Sequence, residues 1–168
     1  MTKRIITTLL CSTLGLIMAA IAWAAAASMA WAGETAFEFI GCGISKNVVV
    51  EASPELRVQA IENWAINTST AVKDWEKATK HCVGYVRIMD GKPTGKGACK
   101  WQDATGDSAI FEWEIHTNGD YTVAWLGGAG KYKGIKGGGN FEVSNSAKPV
   151  VEGTQFQCIR DYGKYTLP

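Results

Sequence analysis

The residues whose types and spacing could carry chemistry concentrate on one short stretch, Ser108–His116, where Glu112, Glu114 and His116 stand at every second position. In an extended chain alternate side chains share a face. Groups spaced this way can converge on one ion or one substrate proton, so the row is readable as a metal or acid–base site. It is also what the solvated outer wall of a barrel strand looks like, and that is the reading adopted. Phe111, Trp113 and Ile115 then turn inward, joined by Tyr121, Val123 and Trp125 of the next strand.

The other candidates are thinner. Gly130-Lys131 is followed by Tyr132 where a phosphate loop needs Ser or Thr, and Gly128, Gly130 and Gly134 miss the dinucleotide spacing. Lys131, Lys133 and Lys136 could hold an anion at a rim, but a solvated turn explains them as well. Asp103 and Asp107 flank a tight turn and fall short of a calcium cage. The histidines, His81 and His116, lack a Ser or Cys partner in a recognisable context, which disfavours nucleophilic catalysis. Proton-transfer chemistry needs only a shaped cavity and a carboxylate such as Glu62 or Glu112. No metal or cofactor is implied.

What positions these residues begins after residue 32. Lys3 and Arg4 open a basic start, Leu9 to Ala27 is an apolar run, and Ala30-Trp31-Ala32 is a small-x-small cleavage site, so residues 1–32 read as a cleaved signal peptide. Residues 33–168 read as a single domain in the periplasm or outside the cell, with no segment left to insert stably in a membrane. Losing Lys3 and Arg4 takes the formal charge from +1 to −1, which argues against nucleic acid as a partner. Oligomeric state is not legible.

Four cysteines remain: Cys42, Cys82, Cys99 and Cys158. An even number in an oxidising compartment reads as disulfides, and without a C-x-x-C pair zinc is disfavoured. If Asp90-Gly91 is a two-residue hairpin turn, Cys82 faces Cys99 at a non-hydrogen-bonded site, close enough for a bridge. A longer loop, Asp90 to Gly95, would shift that register. Cys42 and Cys158 then join the first and last strands, which are neighbours only if the sheet closes on itself.

Strands are expected near Ala36–Gly41, Lys46–Glu51, Leu56–Asn67, His81–Met89, Gly95–Trp101, Ser108–His116, Tyr121–Leu126, Asn140–Ser144, Thr154–Arg160 and Lys164–Leu167. Ser53-Pro54 could instead start a helix, although a bulged strand suits Leu56–Asn67 better. The glycine-dense run Gly127 to Gly139 marks a tight reversal at a barrel rim. The result is an all-β domain, a small antiparallel closed barrel stabilised by disulfides.

Cys82-Val83-Gly84, Gly95-Lys96-Gly97-Ala98-Cys99-Lys100-Trp101, Asp103-Ala104-Thr105-Gly106-Asp107, Gly127 to Ile135 and the ending Gly163 to Pro168 together resemble a group of exported proteobacterial proteins without assigned function. The Gly-x-Gly-Lys-aromatic-x-Gly turn, Gly128 to Gly134, is more distantly similar to the allene oxide cyclase and dirigent type of barrel. That resemblance implies a calycin-like or allene oxide cyclase-like barrel with a central cavity, and cyclisation or guided coupling of an apolar substrate as the activity. It carries no catalytic residue over to this chain, and fold likeness does not transmit chemistry. From the residues, Phe111, Trp113, Tyr121 and Trp125 line an interior that is either a filled core, the reading preferred, or a pocket for one small apolar or aromatic ligand. A non-enzymatic exported binding barrel is therefore expected, ahead of a cyclase or isomerase and of a structural protein of the cell envelope.

Overall fold

The computed structural model describes residues 33–147 and 149–168; the expected leader falls outside them. Eight antiparallel strands close into a barrel in chain order: β1 (Thr35–Ser53), β2 (Leu56–Thr70), β3 (Thr79–Met89), β4 (Lys92–Gln102), β5 (Ser108–Ile115), β6 (Tyr121–Ala129), β7 (Lys136–Ala147) and β8 (Thr154–Thr166). The seam is β1 against β8, with Cys42 directly opposite Cys158, and those two residues are disulfide-bonded. Closure pairs every strand on both sides, which removes the open edges of a flat sheet.

Local chemistry sets the register of the β3–β4 hairpin. Asp90 and Gly91 both have positive φ, 51° and 73°, the two-residue turn whose twist matches that of its strands. Cys82 therefore pairs with Cys99, their α-carbons 4.0 Å apart, and the second disulfide forms as expected. Segment Leu56–Thr70 is a strand and not a helix, because its inward positions Gln59, Ile61, Asn63 and Asn67 recur with period two.

Several expected pieces fuse. Ala36–Gly41 and Lys46–Glu51 are parts of one strand, β1, which pairs without a break on β8 while the register irregularity at Ile40/Gly41 is taken up by Thr68 of β2. Thr154–Arg160 and Lys164–Leu167 merge likewise into β8, and β7 runs from Lys136 to Ala147. His116 lies just past the end of β5.

The interior has two halves. At one end the β2–β3 connector folds back into the barrel and inserts Trp75, which is fully buried among Phe37, Phe39, Trp101, Trp125 and Tyr165 at ring-centroid distances of 4.8–5.6 Å. Asn67 fixes this plug, its side-chain amide donating to the Trp75 carbonyl oxygen at 3.0 Å. The β6–β7 connector adds Tyr132 and Ile135, each 2% exposed. Gly130 must be glycine there, because φ is +62° and a Cβ would strike the Asp107 carboxylate.

Candidate functional site

Above this packed end, toward the Asp90-Gly91 turn, the interior is open. A cavity of about 260 Å³ lies between two unlike walls. Strands β3 to β7 supply the apolar one: the Cys82–Cys99 disulfide, Val86, Phe111, Trp113, Ile115, Tyr121, Phe141 and Val143. The facing wall, from β2 and β8, carries Gln59, Asn63, Gln155, Gln157 and Asp161, interrupted by Ile61 and Ile159, with Lys80 of β3 at its edge. Odd-numbered positions of β2 and β8 point inward, so the polar wall follows from strand parity.

The aromatic wall is shaped by missing side chains. Gly84 of β3, Gly97 of β4 and Trp113 of β5 occupy one row of the ladder. A Cβ on either glycine would collide with the indole of Trp113 and with the neighbouring backbone. The indole thus lies over a two-glycine shelf and meets Phe141 edge-on at 6.3 Å, and the Phe141 ring in turn meets that of Tyr121 edge-on at 5.1 Å.

Lys80 and Asp161 pair at 2.8 Å, their side chains 2% and 3% exposed. The ammonium also sits 5.5 Å from the Phe39 ring and 5.8 Å from that of Phe111. Burial raises the Asp161 carboxyl above the ordinary carboxylate range, and the charge and hydrogen bond of Lys80 offset part of that rise. Next to the pair, Asn63 donates to the Ile44 carbonyl oxygen at 3.2 Å and to Ser45 Oγ at 2.9 Å. Both contacts use its amide nitrogen, so Oδ1 is left buried without a partner. Gln157 reaches the same Ser45 Oγ at 3.4 Å, joining β8, β1 and β2 through side chains.

Of the residues expected to line an interior, Phe111, Trp113 and Tyr121 border the cavity, whereas Trp125 lies in the packed half against Trp75 and Phe37. The Glu112, Glu114 and His116 row faces outward: both glutamates are exposed, and His116 bonds to Thr122 Oγ1 at 2.7 Å. Among the described residues no group of three potential ligands is placed to hold a metal ion. Glu62 also points out, to His81 at 2.9 Å.

Lys131 is no free anion hook. It bonds to Asp103 at 2.8 Å and to Asp74 at 3.1 Å, tying together three connectors at the packed end. Lys133 and Lys136 are exposed. Asp103 is buried, which by itself would raise its pKa, but hydrogen bonds from Lys131, Thr105 and Tyr132 outweigh burial and hold it well below the usual carboxylate range. Its oxygens are thus engaged by the chain's own donors, as in a turn built around an aspartate.

The residues missed at the sequence level include Asn63, Lys80, Phe141, Asp161 and the three glutamines. A signal existed in β8, where Gln155, Gln157 and Asp161 share the parity of Ile159 and Tyr165. Lys80 shares the parity of Cys82 and Val86, but it lies before the expected start of that strand at His81, and its polar character argued for the outside. The outer wall has a shallow groove of its own, bordered by Ile44, Trp64, Ile66, His81 and Phe156. Comparison with protein-family models, curated proteins and solved structures gave no match. Geometry alone therefore carries the functional reading.

Proposed function

We propose that this protein is an exported, disulfide-bonded binding barrel that takes up one small, flat, mainly apolar ligand. The observation that supports the reading is the half-filled interior. A barrel built only to be stable gains from filling its core, yet here a cavity of about 260 Å³ sits beside Trp113, Tyr121 and Phe141. A dry apolar cavity of roughly 150 Å³ already admits benzene, so the space suits a two-ring molecule. The disulfides fit an oxidising compartment, in keeping with a periplasmic or secreted protein.

Titrating the disulfide-bonded protein with naphthalene, by calorimetry and tryptophan emission, tests this. Saturable one-to-one binding is expected, and it should vanish in Val86→Trp, which fills the cavity, while the melting temperature shows that the variant still folds. Failure of the native barrel to bind naphthalene or its polar derivatives would overturn the reading.

One observation favours a second reading, an isomerase or cyclase of the kind the distant resemblance implies. Asp161 is an inward carboxylate bordering an open cavity, the feature such chemistry needs. Against it, Lys80 already holds that carboxylate. The two readings separate on α-proton exchange of 2-tetralone in heavy water, followed by NMR. Exchange accelerated by the native protein and lost in Asp161→Asn would establish turnover; the binding reading expects no acceleration.

A further inference from the structure

Resting on the binding reading above, we infer that the ligand is electrically neutral and carries an amide-like edge, with a hydrogen-bond donor and an acceptor side by side on a flat apolar body. Charge comes first. Among the residues bordering the cavity the ions are Lys80 and Asp161, and they neutralise each other at 2.8 Å. An anionic or cationic ligand would have to break that pair or stay unpaired in a poorly solvated space, and either is costly. Neutral molecules face no such penalty.

The polar wall also has the wrong composition for a passive lining. Gln59, Asn63, Gln155 and Gln157 are four primary amides on two strands that flank β1. Each brings donors and an acceptor to a wall facing aromatic rings. Asn63 and Gln157 spend amide N–H groups on Ile44 and Ser45, and an oily ligand with no polar edge would leave the remaining capacity of the wall unmet, which a buried site tolerates poorly. Two groups are already short of a partner. Asn63 Oδ1 is buried and unpartnered and calls for a donor. The Lys80 ammonium carries three N–H groups, and among the described residues its one hydrogen-bond acceptor is Asp161 Oδ2, so it has donors for a carbonyl oxygen. Asn63 and Lys80 are diagonal neighbours on the β2–β3 ladder, since Asn63 faces Cys82 and Lys80 faces Ala65. Diagonal inward positions of this kind stand about 7–8 Å apart between backbones, within the reach of one carboxamide group and two flexible side chains.

Probes of one size and different edge chemistry test the inference: 1-naphthamide, naphthalene and 1-naphthoate, each titrated calorimetrically into the native protein and into Asn63→Leu, which removes the unpartnered acceptor, and Gln157→Leu. The amide should bind the native barrel more tightly than naphthoate. Its preference over naphthalene should fall about tenfold in the leucine variants, a change of about 1.4 kcal/mol. Naphthalene affinity itself should hold or rise in them, which shows that the cavity survives the substitutions. An amide preference unchanged in both variants would overturn the inference and leave simple apolar binding standing. Naphthoate as the tightest probe would also overturn it, pointing to Arg57, whose Nε is buried without a partner on the same strand as Gln59. Should all three fail to bind, the binding reading itself falls.

Discussion

Trp113 shows how single residues shape this cavity, because its position depends on what Gly84 and Gly97 lack. Gly97→Ala places a methyl where the indole now lies and where the β3 backbone approaches. We expect a loss of about 1–3 kcal/mol in urea unfolding, together with a shifted tryptophan emission as the ring moves into the cavity. Lys80 and Asp161 form the second residue-scale test. Lys80→Met strands a buried carboxylate and should cost about 3–5 kcal/mol, whereas Lys80→Met with Asp161→Leu should recover most of it, since a matched apolar pair avoids desolvating either ion. A double variant no more stable than the single one would show that the pair holds the barrel by more than charge compensation. Asp103 supplies the pH dependence. Its folded pKa lies below the unfolded value of about 3.9, so its stabilisation is fully present above that value and fades as pH falls through the folded pKa. Asp161 has the opposite sign, its folded pKa being raised, so protonation on acidification relieves a penalty. Asp103→Asn should therefore be less stable at neutral pH and show a shallower loss of stability on acid titration below about pH 4.

At the level of elements the eight seams are unequal. The β1–β2 ladder runs from Ser53 opposite Leu56 to Phe39 opposite Thr70, but β6 and β7 are paired only at Thr122–Asn140, Val123–Gly139 and Ala124–Gly138. Backbone amides of β7 that face β6 should be the first strand amides to exchange in heavy water, read by mass spectrometry, because three residue pairs hold that seam while β8 holds the other side of β7 along most of its length. Protection of these amides equal to that of β2 would contradict this. The disulfides differ in a calculable way. Cys42–Cys158 spans 116 residues and Cys82–Cys99 spans 17, so in the loop-entropy picture they stabilise by about 5 and about 3 kcal/mol. Replacing each pair by alanine should give urea midpoints in that order, with the seam pair the more damaging. Much of this level was legible in the chain. Asp90-Gly91 favoured a two-residue turn over a longer loop, and that turn, which the structure shows, puts Cys82 beside Cys99. The joins within β1 and β8 were not legible, because glycine can end a strand or bend it, and neighbouring strands decide which.

For the molecule as a whole, the division between filled and open halves is what matters. Trp75, carried on a connector, fills the lower half, and Trp75→Ala should cost about 3–5 kcal/mol by leaving a void among five other rings. A stability within 1 kcal/mol of the native protein would mean that the plug is dispensable. Residue types, strand parity and cysteine spacing pointed by themselves to an all-β closed barrel, favoured the two bridges it holds, and set which faces of β5 and β6 look inward, because those properties follow from a period of two and from turn geometry. Only the tertiary structure decided where along the axis the rings pack and where they stand apart. It sent Trp125 to the core and Trp113 to the cavity, and it set Lys80 against Asp161 from strands far apart in the chain. Such facts depend on which side chains meet across the barrel axis, a distance that strand periodicity does not encode.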